Sequence, residues 1–363
     1  KDAILLSPPA PWHRPPGTPV FEPAACSSSG RYSPLVARIA LVHDVAGIAA
    51  VQADLLRGAG HEVDQISLPT FGATWKWPAK ALALPIRLAA YLPTITRLRR
   101  TSYDVVHIHW LSHGIVGVLA GRSFFAQAHG SDLHMNSGKP VYGRVIRSVL
   151  KHADKIFYVT PNLRSYLKDV EYKSLYLPNP VDMGDVKLPV AAPSRVSKVL
   201  IFTRLDPIKG VDLIFPAVEK LSQVVELTAF DWGPLAEDYA RKYGRWVHFV
   251  KPIPHAGVAE FLARFDVVIG QMRQGSLGLM EIEALAAGRP VIMGIDWSQY
   301  PEDPPPVIAA SGEEAVISAV ERLQSAPEHL AELSLNSRRW AIRNHGFSHH
   351  LELLEAAYFG SAT

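Results

Sequence analysis

The sequence predicts an α/β protein of two parallel-sheet domains in tandem, and three observations carry that prediction. Apolar runs of strand length alternate with longer amphipathic stretches of helical period. The alternation stops near residue 180 and restarts near residue 196. The chain's 363 residues, nearly half of them apolar, exceed what a single ordinary core requires.

Taken in order, residues 1–36 stand apart. "SPPAPWHRPPGTPVFEP" and "CSSSGRYSP" are crowded with proline and serine and hold no period, which suits a disordered extension. "ARIALVHD" (37–44) reads as a buried strand. "VAGIAAVQADLLRGAGHEVDQISLP" then gives a turn, a helix closed by glycine and a second strand, the opening of a βαβ unit. Strands are expected at 103–110, 123–130, 155–160 and 174–179, with helices between them. "PVDMGDVKLPVAAPSR" (180–195) breaks the pattern as a linker would. Beyond it come the strand "VSKVLIFTRL", a helix over "GVDLIFPAVEKL", "VVELTAFD", a helix near "LAEDYARKYG", "VHFVKPI", "HAGVAEFLARF", "DVVIGQM", an apolar helix and "PVIMGI". The chain ends in what reads as paired helices over 336–360, where His345, His349 and His350 are expected to pack or face solvent. In such a two-sheet architecture, ligands bind outside the carboxyl ends of the strands and in the cleft between domains.

Composition excludes several functions. A net charge of +3 and an isoelectric point near 8.8 describe a mildly basic chain, and no nucleic-acid partner is expected from them. Cys26 is the single cysteine, which rules out an intrachain disulfide or a thiolate metal cluster and suits a reducing compartment. No apolar run approaches membrane-spanning length, and "KDAILLSPPAPW" has too short an apolar centre for a secretory signal. A cytoplasmic protein is expected, with contact at the inner face of a membrane left open. No G-x-G-x-x-G follows a first strand; the nearest stretch, "HGIVGVLAG" (113–121), lacks the close first glycine pair of a dinucleotide site.

"AHGSDLH", "YLPNPVD", "FTRLDPIKGVD" and "GLMEIEALAAGRPV" occur in an order that resembles the retaining GT-B glycosyltransferases of family 4, the group 1 glycosyltransferases, over roughly residues 37–360. The resemblance implies two Rossmann-like domains facing an interdomain cleft. Residues 37–183 and a returning helix near 340–363 would form the acceptor-side domain, and 190–338 the nucleotide-sugar domain. It implies transfer of a hexose from a nucleoside diphosphate sugar to a glycan, a lipid-linked or a small-molecule acceptor. A nucleotide-sugar-binding protein without transfer activity is the alternative.

The resemblance also assigns residues. Arg204 and Lys209 in "TRLDPIKG" would hold the donor diphosphate, arginine as a fork and lysine as a mobile charge. Gly47 in "HDVAGIA" falls where the family carries a glycine-rich loop near phosphate, although Ala46 stands in place of its usual neighbour. Glu283 matches the second glutamate of the family's pair and would hold the donor ribose. Two residues apart on a helix, Glu281 and Glu283 point about 200° away from one another, so Glu281 is expected to be an ordinary helix residue. The pair's first glutamate, which in the family contacts hydroxyls of the transferred sugar, is replaced by Gly275. Gln274 and Ser276 would offer neutral hydrogen bonds there, and the amides of Gly275, Ser276, Leu277, Gly278 and Leu279 would face the phosphate or sugar. His129 in "QAHGSD", with Asp132 three residues on, would act near the anomeric centre. His107 and His109 share a strand face and are read as structural rather than as a metal pair. No D-x-D occurs, and neither metal nor cofactor is expected.

For the acceptor, only "WKWPAKALALPIRLAAYLPTITRLRR" (75–100) speaks. Lys76, Lys80, Arg87, Arg97, Arg99 and Arg100 stand among aromatic and leucine residues with no acid, a composition suited to an anionic bilayer interface or to a packed helical hairpin with solvated charges.

Overall fold

The computed structural model describes residues 36–69, 86, 89–136, 138–181 and 193–360. The proline- and serine-rich extension up to residue 35, Lys76, Lys80, Arg87 and residues 182–192 of the expected linker lie outside the described residues. The chain divides into two compact units, one of residues 36–159, 163–177 and 351–360, the other of 160–162 and 178–350.

The first unit runs β1 (Arg38–Val42), α1 (Ile48–Gly58), β2 (Glu62–Ile66), α2 (Leu92–Arg100), β3 (Val105–His109), α3 (Ile115–Ala120), β4 (Phe125–Ala128), α4 (Ser131–Asn136), α5 (Pro140–His152), β5 (Lys155–Tyr158) and β6 (Ser174–Tyr176). Every strand pairing is parallel, in the order β2-β1-β3-β4-β5-β6. Helices on both faces explain why the strands read as continuous apolar runs. Ile39 and Leu41 of β1 enter a core with Ala53 and Leu56 of α1. Ala40 and Val42 enter the opposite core with Leu98 of α2, Val116 of α3 and Val149 of α5.

The second unit runs β7 (Lys198–Ile201), α6 (Val218–Leu221), β8 (Glu226–Phe230), α7 (Ala236–Tyr243), β9 (Val247–Val250), α8 (Val258–Leu262), β10 (Val267–Ile269), α9 (Leu279–Ala286), β11 (Val291–Met293), β12 (Ile308–Ala309), α10 (Glu313–Ser325) and α11 (Pro327–His345). Its sheet is also parallel, in the order β12-β11-β10-β7-β8-β9. Phe215, Val267 and Ile292 lie in one core; Phe202, Val268 and Leu285 lie in the other. The first part of the helix expected over 210–221 is replaced by two 3-10 turns, Val211–Leu213 and Phe215–Ala217, before α6 begins. Pro216 is the physical reason, since its ring removes a donor and clashes one turn back. The edge strand β12 was not expected; only two residues pair there, just after a run of prolines.

The last helix, α12 (Phe347–Phe359), returns to the first sheet. Leu354 and Ala357 pack with Phe157 and Leu177. His345, which ends α11, donates to the carbonyl of Asn179 at 3.0 Å, and His350, in the first turn of α12, donates to that of Pro178 at 2.8 Å, both within the second unit. His345 and His350 are therefore packing residues, 2% and 1% exposed.

Burial first of all lowers the pKa of His345 to about 4 and of His350 to about 3. The folded chain binds fewer protons here than the unfolded one, so this stability is full above about pH 6.5 and is lost as pH falls below it. The loss should reach about 2 kcal/mol per histidine at pH 5. Thermal unfolding should show a midpoint that drops from about pH 7.5 to about pH 5, and a smaller drop in His350→Gln. An equal drop in the variant would contradict this account.

Candidate active site

In each sheet the strand order reverses once, between β1 and β3 in the first and between β7 and β10 in the second. At such a point the two neighbouring crossovers leave on opposite faces, and the carboxyl ends of the strands stay uncovered. The sequence-assigned residues gather at these two places.

In the second unit, β7 runs into Phe202, Thr203 and Arg204. Arg204 lies over the ring of Trp232, 5.8 Å from its centroid, and reaches Asp206 at 3.6 Å. Its Nε is enclosed with no hydrogen-bond partner among the described residues. The side chain as a whole is 34% exposed, and its outer N–H groups are suited to an anion arriving from outside. Asp206 caps the next 3-10 turn through the amide of Ile208, and that turn ends with Lys209. Lys209 Nζ donates to Gln274 Oε1 at 2.6 Å.

Gln274 belongs to the loop between β10 and α9, and this loop is braced from within. Gln271, fully buried, accepts from the Gln274 amide and donates to the carbonyls of Ser276 and Gly294. Glu281 is 2% exposed; its carboxylate accepts from the amides of Gln271 and Gly278, both at 2.9 Å. The expectation that Glu281 is an ordinary helix residue is thus corrected: it caps its own helix and pins the preceding loop. Tyr300 accepts from the Leu277 amide at 2.9 Å, and burial raises its phenol pKa well above the ordinary value. The amides of Leu277 and Gly278 are therefore taken, which corrects the expectation that they face a ligand. Ser276 and Leu277 are buried, whereas Gln274, Gly275, Gly278 and Leu279 remain partly exposed.

Glu283, 7% exposed on the other side of α9, meets His255 Nε2 at 2.5 Å. Gly275 has φ +69°, and a Cβ placed on it would come within 3.0 Å of the Asp296 Cβ. Asp296 in turn donates its amide to the Gly275 carbonyl at 2.8 Å. An open cavity of about 470 Å3 lies beside this turn, lined by Met272, Arg273, Gly275, Gly294, Asp296 and Ser311.

In the first unit, the non-glycine residues with positive φ sit next to the reversal: His43 (65°) and Ala46 (53°) after β1, and Trp110 (70°) after β3. Ala46 occupies a left-handed conformation that costs roughly 1–2 kcal/mol outside glycine. Gly47, φ 79°, then opens α1. The His43 ring lies 4.3 Å from that of His113, which meets Tyr91 Oη at 3.2 Å. His129 follows β4, with Nε2 3.1 Å from His109 Nδ1. Burial foremost, and His43 secondarily, lower its pKa to about 3, so the ring is neutral at physiological pH. Asp132 is fully buried and accepts from the amides of Leu111, His129 and Leu133. Its geometry is that of a brace joining the loops after β3 and β4. His107 and His109 are both fully buried, with rings stacked at 4.5 Å. Among the described residues, no group of three His, Cys, Asp or Glu is arranged to hold a metal.

Sequence reasoning did not single out Gln271, Tyr300, His255 or Asp296. A buried glutamine directly after a strand was the one available signal, since such a residue must satisfy its amide locally. Glu281→Gln leaves a backbone N–H facing an amide donor and should cost about 1–3 kcal/mol in thermal or denaturant unfolding. Glu283→Gln should leave stability nearly unchanged and weaken nucleoside diphosphate binding measured by calorimetry. Equal stability losses in both would refute the distinction.

Two family descriptions match the chain: "Glycosyl transferase 4-like domain" over residues 29–175 and "Glycosyl transferases group 1" over residues 197–326. A curated relative, D-inositol 3-phosphate glycosyltransferase 2 of Catenulispora acidiphila, is 24% identical over 309 residues, 72% of each chain. Among solved structures, sucrose-phosphate synthase from Thermosynechococcus elongatus superposes with a TM-score of 0.68 at 18% identity, covering 89% of this chain and 98% of that one. Anabaena HepE in complex with UDP and glucose gives 0.65 at 14% identity, covering 88% and 98%. With two parallel six-stranded sheets, each with its exposed reversal point, and with matches over both halves, the chain belongs to the group 1 glycosyltransferases and has the GT-B fold.

Proposed function

We propose that this glycosyltransferase moves a hexose, with retention of configuration, from a nucleoside diphosphate sugar to a glycan, glycolipid or small-molecule acceptor. The observation that carries the donor reading is Arg204 and Lys209 at the reversal point of the second sheet, with the Arg204 side chain 34% exposed. A diphosphate supplies acceptor oxygens for the exposed N–H groups of Arg204, and the ammonium of Lys209 can turn from Gln274 to a phosphate. Glu283 is the acceptor for ribose hydroxyls. His129 and Gly47 lie in the first unit. His129, a neutral imidazole, would hydrogen-bond the transferred sugar near the breaking bond, and Asp132 would hold its loop in place. Charge leaving with the diphosphate is met by Arg204, Lys209 and the start of α9, so this reading includes no metal or cofactor. HepE solved with UDP and glucose, and the curated inositol-phosphate glycosyltransferase, are consistent with such substrates.

Gly275 favours a second reading, nucleotide-sugar binding without transfer. A mass-spectrometric screen of UDP-, GDP- and ADP-hexoses with mixed acceptors separates the two. Transfer should be seen, and Arg204→Ala or Lys209→Ala should weaken nucleoside diphosphate binding at least about tenfold, about 1.4 kcal/mol. Gly275→Glu should lose activity, because its positive φ and the nearby Asp296 leave no relaxed place for a side chain. A silent wild type with activity gained in Gly275→Glu would establish the second reading.

The chain is also proposed to contact an anionic membrane through residues 75–100. Within the described part, Leu92 on the first turn of α2 is 58% exposed, and Arg99 and Arg100 stand on its last turn. Arg97 is instead tied to Asp64 and Tyr103. Among the described residues no helix is long and apolar enough to cross a membrane, so the contact would be peripheral. Flotation with phosphatidylglycerol vesicles should carry the protein, and Arg99→Glu/Arg100→Glu should release it. Equal flotation of the variant would remove this part of the proposal.

A further inference from the structure

His129 is backed by a continuous line of buried rings. On β3, alternate residues share a face, so His107 and His109 project together; neither has any exposed surface. Their rings stack at 4.5 Å with 21° between planes. His109 then stacks on His129 at 5.3 Å and 28°, with His109 Nδ1 3.1 Å from His129 Nε2. At the other end, His107 Nδ1 lies 2.6 Å from Tyr358 Oη, contributed by α12. All four residues belong to the first unit. Valine or leucine at positions 107 and 109 would fill the same strand face with no polar group to desolvate. Two imidazoles instead place hydrogen-bonding atoms inside the core, one of them against His129.

That contact has a chemical consequence. Neutral imidazole carries one N–H, and the bond made by one nitrogen decides which nitrogen holds it. With His129 Nε2 turned toward His109, Nδ1 is the nitrogen left for a substrate. If Nδ1 is to donate to a sugar oxygen, Nε2 must accept, and the hydrogen in that bond must come from His109 Nδ1.

We propose that His109 is a positioning residue for His129: its Nδ1–H donates to His129 Nε2 and holds His129 as the tautomer protonated at Nδ1, ready to donate. Tyr358 and His107 back this arrangement by fixing the ring on which His109 stacks. The C-terminal helix thereby takes part in orienting the site. The inference rests on the role given to His129 under the proposed function, and its primary test needs no substrate.

The full chain, labelled with 15N-histidine, is examined by long-range 1H–15N correlation from about pH 5.5 to about pH 8, with His129→Gln to assign the signals. The wild type should show His129 as one neutral tautomer with hydrogen on Nδ1. His109→Asn, whose amide can still donate, should keep that form, and His109→Leu should give a tautomer mixture. Hydrogen on His129 Nε2 in the wild type, or an unchanged spectrum in His109→Leu, would overturn the proposal. Should His109→Leu not fold, the wild-type tautomer and the His109→Asn spectrum decide. With the donor and acceptor found in the screen, His109→Leu should lower kcat at least about tenfold with little change in donor KM, and His109→Asn should recover most of it. Full turnover in His129→Ala would overturn the role of His129 in transfer. Loss in His129→Ala together with full turnover in His109→Leu would overturn the positioning role alone.

Discussion

The reversal of strand order is the constraint on which the rest depends. A parallel strand must be followed by a crossover of fixed hand, and only where successive crossovers part to opposite faces does a strand end remain open. Each sheet has one such place. Arg204, Lys209 and the 271–278 loop occupy it in the second unit; His43, Gly47 and Trp110 flank it in the first, where His109 ends β3. The residues gathered at these places therefore come from sequence positions as distant as 204 and 274, or 43 and 109, because the sheet order makes those strand ends neighbours.

Open strand ends leave backbone polar groups without regular partners, and the protein satisfies many of them with a few buried side chains. Gln271, Glu281 and Tyr300 bind successive groups of the loop before α9, while Asp132 gathers amides from the loops after β3 and β4. Each group is inside the fold, where an unmet N–H costs about 1–3 kcal/mol, so the bracing is cooperative with folding itself. It also fixes which amides can meet a ligand. Local strain is concentrated in the same zone, at His43, Ala46 and Trp110, where the chain turns off the strand ends against its preferred dihedrals.

Glycine at position 275 shapes its loop by geometry. The left-handed turn lets Asp296 approach to hydrogen-bond the Gly275 carbonyl, a closeness that a Cβ would obstruct. The loop after β11 thus packs where a side chain at position 275 would stand. Gly275 and the neighbouring loop have to be read as one feature.

The sequence alone determined the two-sheet α/β architecture, because strands buried on both faces must read as apolar runs and the break near residue 180 separates two sets of them. It also marked Arg204, Lys209, His129 and Glu283, whose motifs are short and contiguous. What it did not carry was the division of labour within those motifs. Period alone could separate Glu281 from Glu283, but it could not show that Glu281 is buried as a cap, since that depends on the amides of Gln271 and Gly278 reaching it. The proline within 210–221 was visible; that the chain would run as 3-10 turns around it was decided by local dihedrals. His107, His109 and Tyr358 lie 251 residues apart at their extremes. Their line behind His129 exists only once α12 folds back on the first sheet. Sequence fixes periodicity and local chemistry because both act over a few residues; long-range hydrogen bonds and stacked rings wait for tertiary structure to bring their partners within reach.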